Sequence, residues 1–127
     1  MQTHLNDPTQ LRKLLVLILN HPSCYEIDWP INSVTPWTEH IALYDSLAVE
    51  LATLFANGEW PFDQADCVAN DLWRHMLANV PQGEVFSDSL FEVYDAFDAG
   101  ECIRVGIDPV KALTEPAISA FLAKLKS

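Results

Sequence analysis

The sequence predicts an all-α fold, a single-domain bundle of five or six helices over residues 1 to 127. Three observations predict it. Helix starts are marked by a capping side chain ahead of a proline at Asp7-Pro8, Thr35-Pro36 and Asp108-Pro109. The capping oxygen satisfies an orphan N–H there, and proline has none to lose. Apolar residues recur at the i, i+3, i+4 spacing of a buried helical face. Half of the 127 residues are hydrophobic, with six Phe, four Trp and three Tyr. That is enough apolar material for a core without metal or disulfide staples, and it excludes the composition of a disordered chain.

The first helix is expected over residues 8 to 20, with Leu11, Leu14, Leu15, Ile18 and Leu19 inward. A loop follows through Pro22, Pro30 and Asn32, in which Tyr25-Glu26-Ile27-Asp28-Trp29 alternates like a short extended piece. A second helix, from Pro36 to Asn57, carries Trp37, Ile41, Tyr44, Leu47, Ala48, Leu51, Leu54 and Phe55 on its apolar stripe. Gly58 ends it in the left-handed conformation that glycine takes cheaply.

The third helix starts from an Asp63 cap and runs to Asn79, with Ala65, Val68, Ala69, Leu72, Trp73, Met76 and Leu77 inward. Pro81-Gln82-Gly83 breaks the chain. Ser87 or Asp88 caps a fourth helix that ends at Gly100, with Leu90, Phe91, Tyr94 and Phe97 inward. A short turn after Pro109 leads to a last helix over residues 115 to 126, started by the looser signal Thr114-Glu115-Pro116. Its inner face is Ile118, Phe121, Leu122 and Leu125, and its closing lysines suit the negative end of a helix.

The net charge is −11, and its distribution is uneven. Between Lys13 and Arg74 there is no Lys or Arg, whereas Glu26, Asp28, Glu39, Asp45, Glu50, Glu59, Asp63, Asp66 and Asp71 all fall there. Such a surface repels nucleic-acid phosphates and anionic membranes, so neither is an expected partner. A basic protein would be attracted and steered. Acidity that serves only solubility is the plain alternative.

Three cysteines, Cys24, Cys67 and Cys102, form no Cys-x-x-Cys pair, so free thiols in a reducing cytoplasm are expected. Arg12-Lys13 ahead of Leu14-Leu15-Val16-Leu17-Ile18-Leu19 resembles a signal peptide, with Ser23-Cys24 downstream. The apolar run is shorter than a normal h-region and Asn20-His21-Pro22 interrupts it, so a buried amphipathic helix is expected instead. No segment approaches the length of a membrane span.

The chemistry-bearing residues are mostly acidic. On the fourth helix Asp88, Glu92, Asp95 and Asp98 recur at i, i+4, i+7 and i+10, along one face, and Glu101 follows the helix end. Like charges at this spacing cost a few tenths of a kcal/mol per pair, about 0.2–0.5. Three readings stand: a solvated face, a site for Lys or Arg side chains of a partner, or a divalent-cation site. The last lacks both the Asp-x-Asp-x-Asp-Gly loop and the Glu-x-x-His pair that converge oxygens on one ion. No metal or other cofactor is therefore expected.

The histidines, His4, His21, His40 and His75, form no His-x-x-x-His pair. His40 is expected at the surface or half-buried, and His75 on the exposed side of the third helix. Cys67 falls early in that helix, where the dipole would lower its pKa and neighbouring Asp63 and Asp66 would raise it; a small core residue is the expectation. There is no Gly-x-Ser-x-Gly elbow and no phosphate loop. Trp29, Trp37 and Trp60 lie near helix entrances, as core residues or as interface anchors.

The stretch from Leu90 to Glu101, above all Tyr94-Asp95-Ala96-Phe97-Asp98-Ala99-Gly100-Glu101, with Asp108-Pro109-Val110 and Thr114-Glu115-Pro116 after it, resembles the C-terminal half of small acidic bacterial immunity proteins. These accompany polymorphic toxins of the colicin and contact-dependent inhibition kinds. The resemblance covers about a third of the chain. It implies a one-to-one complex with a basic toxin domain, often a nuclease, occluded without turnover. The expected partner-binding residues are Asp63, Asp66, Asp71, Asp88, Glu92, Asp95, Asp98 and Glu101, with no catalytic residue. The competing expectations are a small carboxylate-based metal-dependent hydrolase and a housekeeping protein–protein adaptor.

Overall fold

A computed structural model of the chain describes residues 7–21, 29–103 and 105–126. His4, Cys24, Arg104 and the expected extended piece up to Asp28 lie outside them. The described residues form an all-α bundle with no strand: α1 (Pro8–Asn20), α2 (Trp37–Ala56), α3 (Phe62–Asn79), α4 (Asp88–Gly100), a π-helical turn (Val110–Thr114) and α5 (Glu115–Leu125).

Three of the expected chain signals act as anticipated. The Asp7 carboxylate accepts from the Thr9 amide at 3.0 Å at the head of α1. Asp108 Oδ1 accepts from the Val110 amide at 3.1 Å ahead of the π-helical turn. Gly58 takes φ 84° past the end of α2, and the Glu59 and Trp60 amides both return to the Leu54 carbonyl.

Others act differently. α2 and α3 start from Pro36 and Pro61, which carry no capping side chain. Thr35 instead donates its hydroxyl to Asn32 Oδ1, which also accepts the Val34 amide. Asp63 lies inside the first turn of α3. Thr114 caps nothing: its backbone is helical, and its buried hydroxyl donates to the Ala96 carbonyl at 2.8 Å. The Glu115 amide reaches back five residues to the Val110 carbonyl, so the π-helical turn runs straight into α5.

α4 is the hub, packed against α2, α3, the π-helical turn and α5. Its buried residues are Leu90, Val93, Ala96, Phe97 and Gly100. The core they enter includes Leu15 and Ile18 of α1, Tyr44, Leu47 and Leu51 of α2, Leu72 and Met76 of α3, and Ile118 of α5. At the head of α4, the Ser87 hydroxyl accepts from the Leu90 amide at 3.0 Å and donates to Asp45 of α2. One side chain thereby caps the helix and ties it to its neighbour. At the tail, Gly100 admits the Phe62 ring and the Thr114 hydroxyl against bare backbone. No described helix is long and apolar enough to cross a membrane.

Candidate partner-binding surface

The start of α3 and the end of α4 bring together carboxylates that are far apart in sequence. Asp63 is exposed and Asp66 half-buried on α3; Asp98 is exposed on α4, and Glu101 is exposed just past its end. The Asn70 amide joins them, donating to Glu101 Oε2 at 3.1 Å, to Asp66 Oδ1 at 3.3 Å and to the Asp66 carbonyl at 2.9 Å. Burial, then a hydrogen bond with Glu101, then the charges of Glu101, Asp98 and Asp63 push the Asp66 carboxyl up to about 7. A proton held on Asp66 removes one of four crowded negative charges.

The remaining expected residues separate. Asp95 is exposed on the outer face of α4. Asp88 is exposed at the head of the helix, where its charge adds to the burial that raises the Asp45 carboxyl. Glu92 turns toward α5 and accepts from Lys124 Nζ at 2.7 Å. The stripe therefore straddles the outer face of α4, from α5 at Glu92 to α3 at Asp98.

Asp71 is a correction. It is only 3% exposed, because it falls on the buried side of α3 with Val68 and Leu72, and its Oδ1 accepts from Arg74 Nη2 at 2.6 Å. A carboxylate so enclosed does not present itself to a partner. Among the described residues, no group of three or more His, Cys, Asp or Glu is arranged to hold a metal ion.

Beside the carboxylates lies a feature that periodicity alone does not reveal. The Trp73 ring stacks on Tyr94 with centroids 5.0 Å apart and planes 12° apart, and it meets Phe91 at 5.5 Å and Phe86 edge-on at 5.8 Å. Phe91 and Leu77, both expected inward, are exposed; Phe91 is 49% exposed and Phe86 45%. Tyr94, also expected inward, is half-buried. Burial, then the nearby charges of Asp98 and Glu101, raise the Tyr94 phenol, so the aromatic ridge abuts the acidic end. Phe91, Asp95 and Asp98 follow one another at i, i+4 and i+7 on α4.

The segment that carries Val85 and Phe86 is held in place. Trp37 Nε1 donates to the Val85 carbonyl at 2.8 Å, and the Ser87 amide points at Met76 Sδ at 3.3 Å. The spacing does signal one part of the ridge, that Phe91 faces outward. Leu90, Val93, Phe97 and Gly100 at i, i+3, i+7 and i+10 set the inner direction of α4, and Phe91 falls off that line.

The other candidates are structural. His40 is buried, not at the surface, because the stacked Trp37 ring covers it; its Nε2 lies 3.1 Å from the Asn32 carbonyl. His75 is half-buried, with Nδ1 2.7 Å from the Tyr44 hydroxyl and its ring beside Trp29. Burial and then His40 lower its pKa. Cys67 is exposed, which corrects the core expectation. Desolvation, then the charges of Asp71 and Asp66, raise its thiol and disfavour the nucleophilic thiolate. Trp29, Trp37 and Trp60 are half-buried and pack on the core.

Comparison of the chain with protein-family models, with curated proteins and with solved structures finds no significant match.

Proposed function

We propose that this chain is a binding protein of the immunity type, which holds a basic toxin domain and covers its working surface without turnover. The observation that carries the reading is the convergence of Asp63, Asp66, Asp98 and Glu101 where α3 begins and α4 ends, with Asp95 one turn before Asp98 on α4. Helices whose ends gather like charge are under mutual repulsion, and a cationic surface relieves it. The field of such a cluster on a chain of net charge −11 accelerates encounter with a basic protein and sets which partner is accepted.

The test is a pull-down from the source cell lysate at low and high salt, with mass spectrometry of what is retained. One basic protein, held at low salt and weakened at high salt, is the expected result. No stable partner at either salt would end the proposal.

One observation favours a second reading. An Asp66 carboxyl held at about 7 has the pKa that general acid–base work at neutral pH requires. A small carboxylate-based hydrolase would then use Asp66 itself as the acid or base, and hydrolytic turnover that Asp66→Asn abolishes would move the assignment to it.

A further inference from the structure

We propose that the aromatic ridge of Trp73, Phe86, Phe91 and Tyr94 is the anchor of the partner interface, and that it takes a surface of the basic partner with an apolar centre rimmed by Lys and Arg. This rests on the binding reading above and adds where the affinity resides.

The ridge leaves more apolar surface in water than its packing requires. Phe86 and Phe91 are each nearly half exposed, and Val85 is 69% exposed beside them. Exposed apolar side chains scattered singly are ordinary. Here they share one contact network through the Trp73 ring, which packs on Phe86, Phe91 and Tyr94 alike. The backbone beneath is fixed by the Trp37–Val85 hydrogen bond and by the Ser87 cap, so the ridge is preformed. Rigid aromatic groups lose little entropy when a partner covers them, which is why they dominate interface energetics.

The identity of the occupant follows from charge. Asp88 and Asp95 lie one turn to either side of Phe91, and Asp98 follows. Asp98 and Glu101 act on the Tyr94 phenol itself. An acidic occupant would repel these carboxylates, and a neutral one would desolvate them without compensation. A second copy of this chain is disfavoured, because each copy carries −11 and only seven Lys and Arg. Three of those cations, Arg12, Arg74 and Lys124, are already engaged with Glu50, Asp71 and Glu92. The complementary surface is therefore that of a different, basic protein. Its apolar centre covers Phe86 and Phe91, and its Lys and Arg side chains reach Asp95, Asp98 and Glu101.

The experiment uses the full chain, labelled for amide NMR, and two synthetic peptides of about 18 residues, long enough for about five helical turns. One is an amphipathic Leu/Lys helix. The other keeps every Lys and replaces each Leu by Gln. The Leu/Lys peptide is expected to shift the amides of Trp73, Leu77, Phe86, Phe91 and Tyr94 and to bind about tenfold tighter than the Gln/Lys peptide. The Phe86→Gln/Phe91→Gln variant should abolish that tenfold while keeping the dispersion of its spectrum. Phe91→Gln alone should remove part of it, which guards against a double variant that does not fold.

Equal binding of the two peptides would overturn the anchor and leave the basic-partner reading standing. Shifts centred on Val16 and Leu17 of α1 instead would overturn the anchor in the same way. If neither peptide binds at low salt, both readings fall.

Discussion

The inner and outer faces of α4 share one backbone and one Ser87 cap, yet Leu90, Val93, Ala96, Phe97 and Gly100 are buried while Asp88, Phe91, Asp95 and Asp98 are exposed. On the inner face each residue answers to a neighbour. Phe97 meets Phe55 edge-on at 5.0 Å and Phe62 at 6.0 Å, and Gly100 leaves room for Thr114. On the outer face Phe91 keeps about half of its surface in water beside Trp73, and Asp95 and Asp98 stand exposed beyond it. Residues that folding does not require are the ones to examine for function.

Substitutions on the inner face should have the greatest consequences. Phe97→Ala should cost about 3–5 kcal/mol in denaturant unfolding, since it deletes a fully buried ring from the hub helix. Gly100→Ala should cost about 2 kcal/mol, because its new methyl would lie 2.3 Å from Thr114 Oγ1 and 2.8 Å from Phe62 Cε1. A neutral Gly100→Ala would mean that the end of α4 does not lie against α3 and the π-helical turn as described.

The acidic end stands between the two faces, and its expected effect is smaller. The folded Asp66 carboxyl is raised to about 7, above an unfolded value of about 3.9. The folded state thus binds more protons between those values, so stability falls as pH rises through that window and is unaffected below it. Asp66→Asn should remove the decline and raise the melting temperature at pH 8 by about 3 °C, a modest figure because the group is partly exposed. At pH 4 the two proteins should melt together. His75, lowered by burial, works in the opposite sense and is common to both. Parallel melting curves at all pH values would contradict a proton held on Asp66.

Smallest of all is the expected effect of Phe91→Gln on folding, within about 0.5 kcal/mol, in keeping with an exposed position. A larger loss would place Phe91 in the structure and not on the interface.

These differences explain what could be read in advance. Caps and breakers act locally, so Asp7, Ser87, Asp108 and Gly58 could be recognised from neighbours in sequence. The apolar stripes of α1 and α2 are wide enough to give their buried face. α4 has apolar residues nearly all round, and reading Leu90 with Phe91 and Tyr94 turned it away from its true core line through Val93 and Gly100.

Long-range facts were out of reach. Nothing near Asp71 in sequence signals that the packed bundle encloses it, nor does the sequence around His75 say that the Tyr44 hydroxyl, 31 residues away, meets its ring. Of the eight expected binding residues, Asp63, Asp66, Asp98 and Glu101 converge, Asp88 and Asp95 flank Phe91, Glu92 engages Lys124 and Asp71 is buried. The aromatic ridge went unseen because it joins a loop residue, Phe86, to two helices.

Whether the outer α3–α4 face receives a basic protein is decided by kinetics. The quantity to measure is the association rate of the protein retained in the pull-down, by stopped flow, with the wild-type chain and with Asp95→Lys/Asp98→Lys. A folded variant that associates at least about tenfold more slowly at low salt is expected, with the difference shrinking as salt rises. Equal rates at low salt would contradict a binding role for this face.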